Sequence, residues 1–362
     1  MSRATLSRYI ASRTLRSIGI AFMVVTAIIA LVDYVEASRN IGTEADLSPL
    51  QLLMLTSLKI PKLIEQTIPF VVLFGVMGAL AGMNKRSELT VMRAAGVSAW
   101  RFLRPALIVT GIIGILWATV INPLSSQMMG AYDARSAEAL GSRSTDEIWL
   151  REGSSTAQRV IQAKSLDILQ KRLDGPVFIE MAIDPDGGTV FERRFDAESA
   201  RLVTPGYWTL KTVTENVPGE APRRTDEITL PTTIDIEELR EQSGQRVDPP
   251  FWAIRQEIAA NEAAGFSARE LKLQFHKLLA LPILLIAMTF IAAGVSMHLV
   301  RGGGTLRLLI IGAVMGFGVY FADSVVTAFG EVAILPVILA AWTVPVLVLL
   351  LGVSHLARIE DG

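Results

Sequence analysis

Long uncharged runs alternate with short charged segments along this chain, and one extended polar stretch interrupts them in the middle. The uncharged runs cover residues 17–32, 66–84, 105–132, 278–300, 308–322 and 332–357, with Leu, Ile, Val, Ala and Phe at their centres. A helix rising about 1.5 Å per residue needs roughly 20 residues to cross the hydrocarbon layer, and backbone groups there must pair within the segment. The runs at 278–300 and 332–357 meet that length directly, and the shorter ones do so with their flanks. Six membrane spans are predicted. Over 133–249 the pattern changes to short stretches rich in β-branched and aromatic residues: EIWLR (147–151), RVIQAKSLDI (159–168), PVFIEMAI (176–183), TVFERRF (189–195) and YWTLKTVT (207–214). DPDGG (184–188), TPGY (204–207) and VPGEAP (217–222) are turn signals between them. Strands at this spacing predict an antiparallel sandwich or jelly roll.

The pair of prolines at 249–250 marks the exit from that region. FWAIRQEIAANEAAG then reads as a helix ending near Gly265, and SARE (267–270) starts the next one, which runs into span four. The predicted fold class is therefore a membrane α-helical protein with an inserted all-β domain. Residues 1–132 carry spans one to three, 133–249 the β-jelly roll, and 250–362 a connecting helix and spans four to six. The outer loop 37–58 is expected to hold a short helix at 48–58.

Composition sharpens this picture. The chain of 362 residues is 51% hydrophobic with mean hydropathy +0.43, yet 19% of its residues are charged, so the two characters must be segregated. The first apolar run reads as a retained span rather than a cleaved signal peptide: Arg3, Arg8, Arg13 and Arg16 form an amphipathic lead-in, and no small-x-small site follows Val32. Lys85, Arg86, Arg93, Arg101, Arg104, Arg301, Arg307 and Arg358 fall on the same side as those arginines. Basic residues near span ends favour the cytoplasm, so both termini are expected there and the β domain on the opposite side.

Enzyme chemistry is poorly represented. GxxxxGK[ST] is absent, and RGGGT (301–305) lacks the lysine that would reach a phosphate. His276, His298 and His355 lie far apart without a metal-ligand pattern, no GxSxG occurs, and no cysteine exists for a thiolate site. No catalytic residue, cofactor, metal or nucleic-acid partner is expected. Ionisable residues at span ends remain: Asp33, Glu36, Lys59, Lys62, Glu65 and Asp323. Interfacial anchoring and a functional role are both open for them. Gly75, Gly78, Gly82, Gly312 and Gly316 permit close helix packing.

Between spans two and three stands MNKRSELTVMRAAGVSAWRF (83–102). Ser87 can cap a short helix over about 87–95, with Glu88 at its positive end and Gly96 as its terminator. Leu89, Met92 and Ala95 recur at three-residue steps, while Glu88 and Arg93 point elsewhere. Such a helix suits docking of a separate motor; a simple interfacial turn is the competing reading.

Several stretches resemble the LptF/LptG permease family of lipopolysaccharide export ABC transporters: TLSRYIASRTL (5–15), IPKLIEQTIPFVVLFGVMGALAGMNKRSELTVMRAAGVS (60–98), the NP pair at 122–123, and VYFADSVVTAFGEVAILPVILAAWTVP (319–345). The final third is closer to the LptG half of the family. The resemblance implies a multi-pass protein of the bacterial inner membrane with a periplasmic jelly roll. It implies pairing with LptF above an LptB ATPase dimer, alongside LptC, and delivery of lipopolysaccharide to a periplasmic LptA bridge. On that resemblance the segment matching 86–96 is the coupling helix, with Glu88, Leu89, Met92 and Arg93 as the expected docking set. Lys62 matches a lysine near the lipid's phosphates, Arg135 roughly matches an arginine beyond span three, and Asp33 stands where the family has a lysine. Asp33 is expected to repel phosphate, so that the headgroup differs or a bridging divalent cation or a neighbour compensates, or else to neutralise Lys62. Phe178, Phe191, Trp208 and Leu210 are expected to face the inside of the β domain along the lipid's route. A scaffold with a binding module and no transport role is the alternative, as is the sister permease LptF.

Overall fold

The computed structural model describes residues 3–40, 47–139, 148–153, 157–167, 171–183, 189–203, 206–232, 234, 249–263, 267–299 and 305–361. The DPDGG turn, Thr204 and Pro205 of TPGY, Gly265 and all but the last residue of RGGGT lie outside these. Among the described residues six helical segments are long and apolar enough to cross a membrane: Thr5–Arg39, Ile68–Lys85, Ala99–Ser136, Arg269–Ser296, Leu306–Glu331 and Val337–Arg358. They are the six predicted spans. The chain divides into two compact units, one of residues 1–36, 56–129 and 249–362, the other of 37–55 and 130–248.

Span one is helix α1 (Arg3–Asn40). Helix α2 (Pro49–Glu65) is longer than the predicted 48–58 segment and continues through Pro61. Span two is α3 (Ile68–Lys85), followed by the short α4 (Glu88–Ala94). Span three is α5 (Ala99–Leu116), a π-helical turn (Trp117–Ile121) and α6 (Asn122–Ala139). After the β domain come α7 (Phe251–Ala263), α8 (Arg269–Leu299), α9 (Thr305–Glu331) and α10 (Val337–Asp361). Helix α8 is the hub of the bundle and packs against α3, α5, α9 and α10. Leu285, Ala287, Met288, Ala292 and Ala293 of α8 are buried, and Thr289 donates to Thr110 of α5 at 3.0 Å with both side chains fully enclosed.

Glycine sets how closely these helices approach, because lipid supplies no hydrophobic drive between apolar helices and association rests on packing. A Cβ at Gly75 would stand 2.6 Å from the Ile18 backbone, while Gly78 faces Ser17 and Gly82 faces Arg13. Partner numbers fall as the α3 numbers rise, so α1 runs antiparallel along a glycine stripe. Gly312 and Gly316 of α9 meet Met77 and Leu73 on α3. At Gly114 the neighbour is the Pro282 backbone, with Cα 2.5 Å from a built Cβ.

Among the described residues the second unit contains eight antiparallel strands: β1 (Ile148–Gly153), β2 (Ala157–Ala163), β3 (Ser165–Asp167), β4 (Arg172–Asp174), β5 (Val177–Ile183), β6 (Thr189–Val203), β7 (Tyr207–Asn216) and β8 (Arg223–Pro231). One path across the sheet runs β8-β7-β6-β5-β2-β1, and the β3–β4 hairpin pairs with the far half of β6 beyond β5. Laid flat, six strands at about 4.8 Å spacing would separate the edges by roughly 24 Å. Yet Thr232, just past β8, donates to Glu152 on β1, and Arg159 on β2 donates to the Pro231 carbonyl. The sheet is therefore curled, and Leu150, Ile161, Leu173, Phe178, Phe195, Trp208, Leu210 and Leu230 fill one core inside it.

Charge holds the curl together. Arg159 bridges Glu152 and Glu180, and Arg193 binds the other Glu180 oxygen. Burial would raise the Glu180 carboxyl, but hydrogen bonds and charge from Arg193 and Arg159 outweigh it and hold the group below the ordinary glutamate range. A carboxyl with a depressed folded pKa stabilises the fold above its unfolded value, and that stabilisation is lost as pH falls through the lower folded value. Glu180→Gln is thus expected to cost about 2 kcal/mol near neutral pH, leaving two arginines short of a counter-charge. Amide hydrogen exchange of the sheet in the full chain checks this: the difference between variant and parent should shrink on acidification below the ordinary glutamate range.

Candidate functional site

Two clusters in the helical unit carry the chemistry that the sequence singles out. The first is α4. Ser87, expected to cap it, has φ 57° and makes no side-chain cap bond, because the tight exit from α3 puts this residue in the left-handed region. The other end matches expectation: Gly96, at φ 77°, donates to the Arg93 carbonyl and Val97 to that of Met92, which closes the helix. Leu89 is buried and belongs to the bundle core, with Met92 packed partly against it. Leu89 and Met92 of the three-residue stripe therefore face this chain's own spans while Ala95 is exposed, so Leu89 is not part of an open docking surface. Val91, 66% exposed, and the exposed Arg93 occupy the outer face. Glu88 is half-buried and accepts a hydrogen bond from the Tyr9 hydroxyl at 2.9 Å, which ties α4 to the start of α1.

The second cluster joins α1, α2, α6 and α7 within the first unit. Asp33 on α1 is 6% exposed and pairs with Lys59 of α2 at 2.9 Å. Its second oxygen is buried without a hydrogen bond. The expected Asp33–Lys62 neutralisation is not what forms, since Lys59 sits one helical turn nearer. Lys62 instead stands 3.8 Å from Glu65 on its own helix. Glu65 accepts from the Asn122 amide at 3.1 Å and from Ser125 at 3.4 Å. Asn122, buried to 1% exposure, also accepts from the Phe251 N–H at 3.0 Å. The π turn just before it re-aims the Thr119 carbonyl, which takes the Trp252 indole N–H at 2.9 Å. One asparagine thus joins the end of α2, the start of α6 and the start of α7. The NP pair carries no such role in the sequence alone; a proline inside the uncharged run 105–132 was the available signal, because its missing N–H disturbs the helical ladder.

The remaining expected residues are dispersed. Arg135 lies exposed on α6. In the β unit Phe178, Trp208 and Leu210 are fully buried, as expected of an inward face. The Trp208 indole N–H has no acceptor among the described residues. Phe191 departs from the expected inward direction and is 45% exposed. The register explains it: Glu180 faces Arg193 but Met181 faces Phe191, so a bulge at Glu192 turns Phe191 outward.

Lys277 of α8 was missed altogether. It pairs with Asp323 of α9 at 3.0 Å and donates to Thr327 at 3.1 Å. Lys277 lies eight residues inside the start of α8 and Asp323 eight before the end of α9, each about 12 Å along its helix. The charges match in depth.

Six membrane-length helices among the described residues, with a β domain inserted after the third, define a multi-pass membrane protein. The family model for the lipopolysaccharide export system permeases LptF/LptG matches residues 8–358, and the chain belongs to that family. Among curated proteins it is similar to the lipopolysaccharide export system permease protein LptG of Haemophilus influenzae, 33% identical over 117 residues. That alignment covers 30% of this chain and 32% of the relative, so the chain spans about a third of the length of the curated protein it matches.

Proposed function

We propose that the chain is the LptG-type, non-enzymatic permease subunit of an ABC transporter that extracts lipopolysaccharide from the inner membrane. A partner LptB ATPase dimer drives it, LptF completes the membrane pair, LptC stands alongside, and the periplasmic LptA bridge receives the lipid. The observation that carries this reading is the family match along nearly the whole chain. The excess of Lys and Arg around α4 supports a cytoplasmic position for that helix and for both termini, with the β domain periplasmic. The motor's contact surface is then the outer face of α4, with Val91 taking the apolar role first expected of Leu89, Glu88 at the rim, and Arg93 beside it. Met92 contributes through its partly exposed edge.

At the opposite end Lys62 offers a cation to lipid phosphate, and Asp33 tunes the entrance by occupying Lys59. Arg135 is a further cation beyond span three. Phe178, Trp208 and Leu210 fill the sheet interior; on this route lipid meets them when the curl opens, whereas Phe191 meets it only from outside.

Co-purification with the ATPase, combined with lipid-stimulated hydrolysis in proteoliposomes, tests the reading. Val91→Asp and Glu88→Lys are each expected to reduce coupled hydrolysis by tenfold or more, since an unmatched charge in a desolvated contact costs roughly 2–5 kcal/mol. Tyr9→Phe removes the hydrogen bond on Glu88 but leaves its charge, so it separates docking from local support. Arg93→Ala should have a small effect. Full assembly and full coupling in both charge variants would reduce α4 to a connection between spans.

A further inference from the structure

A cavity of about 280 Å³ opens between α7 and α8, lined by Arg255, Ile258, Ala259, Glu262, Lys272, Phe275 and His276. None of these residues belongs to the clusters described above. Ile258 and Phe275 form an apolar floor and pack onto the small core around Phe251, Ile254 and Leu271. The polar groups are mostly donors. Lys272 is held by Glu262, an exposed pair. Arg255 is exposed and has no hydrogen-bond or ion-pair partner among the described residues. The Trp342 indole N–H donates to His276 Nδ1 at 3.4 Å. An imidazole that accepts at Nδ1 carries its proton at Nε2, so its other edge is also a donor. The cavity therefore gathers a guanidinium, an ammonium and an imidazole N–H against one carboxylate. That is a donor set for an anion, and arginine's planar fork suits phosphate oxygens in particular.

Position narrows the anion's source. His276 lies just before the uncharged run 278–299, and Lys272 one turn earlier, so the cavity sits where α8 enters the apolar layer. Groups at that level meet lipid headgroups, and a guanidinium or ammonium there can pair with a headgroup phosphate. We infer that the α7–α8 cavity binds the phosphodiester of an anionic glycerophospholipid, with Arg255, Lys272 and His276 holding the phosphate and Ile258 and Phe275 carrying the glycerol and first acyl carbons. This rests on the membrane topology proposed above, but it concerns a resident lipid rather than the transported one, and its readout needs neither ATPase nor transport.

Native mass spectrometry of the full chain in detergent, titrated with phosphatidylglycerol, tests the site. Arg255→Ala/Lys272→Ala is expected to remove one bound lipid per chain and weaken its binding roughly a hundredfold, the size of two lost charge-assisted contacts. Glu262→Gln should act in the opposite direction, because it frees Lys272 and removes the only competing carboxylate. A packing role alone would not produce that reversal. A neutral diacylglycerol should not bind there, and inorganic phosphate should not displace the lipid. Equal titration of the double variant and the parent would overturn the site, as would weaker binding in Glu262→Gln. Displacement by inorganic phosphate would overturn the lipid as its source and leave a free-anion site.

Discussion

Gly114→Ala is expected to destabilise the helical unit by about 3 kcal/mol, although alanine is the better helix former of the two. The added Cβ would lie 2.5 Å from Pro282 Cα, 3.0 Å from Pro282 N and 3.1 Å from its Cβ. Backbone atoms cannot rotate away as a side-chain tip does, so α5 and α8 must separate. Separation would also stretch the Thr110–Thr289 hydrogen bond, one turn away on α5, which is fully enclosed. Gly19→Ala makes the same chemical change on α1, where nothing lies within 4 Å of the new Cβ. There the gain in helix propensity should stand alone, at about 0.5 kcal/mol of stabilisation. Thermal unfolding of both variants in detergent reads the contrast. Shifts of the same sign and size in the two would show that helix approach at Gly114 is not what sets stability.

The second large effect is expected at Lys277 and Asp323. Lys277→Leu leaves the half-buried Asp323 without its counter-charge, and loss of one member of such a partly buried pair costs about 2 kcal/mol. Asp323→Leu strands the lysine in turn, with only the Thr327 hydroxyl left to it. The double replacement removes both desolvation costs and should recover most of the loss, because two leucines pack readily between α8 and α9. A double-mutant cycle on the unfolding midpoint gives the coupling directly. Additive losses in the double variant would mean that each residue acts through other contacts.

The spans were legible because their signal is length and hydropathy, which survive any detail of packing. What the sequence hid depends on pairing between segments. Asp323 reads as the end of a span because it ends an uncharged run, yet α9 continues to Glu331 once Lys277 neutralises the charge. Helix α2 looks short because Lys59, Lys62 and Glu65 break its apolar pattern, and those charges find partners on α1, α2 and α6. In the β unit, β8 was missed because most of its residues are exposed and carry no alternation. The three residues of β4 are too few to show any. Of the repeat Leu89, Met92 and Ala95, the first two mark an inward apolar face on α4, and Ala95 is exposed. Periodicity alone does not say whether such a face meets its own bundle or a partner, and burial of Leu89 decides for the bundle.

Asn122 bears on the order in which the polypeptide is made. Its amide can meet Glu65 as soon as the third span has been synthesised, but its carbonyl oxygen waits for the N–H of Phe251, 129 residues downstream. The whole β domain must emerge before that contact closes, and closing so long a loop costs only slowly more as the loop lengthens. The first three spans therefore pass through a biosynthetic interval in which the Asn122 oxygen and the π-turn carbonyl of Thr119 lack their final donors. Arrival of Phe251 and Trp252 ends that interval for both at once, so the two halves of the membrane unit are joined only after the domain between them has been released by the ribosome.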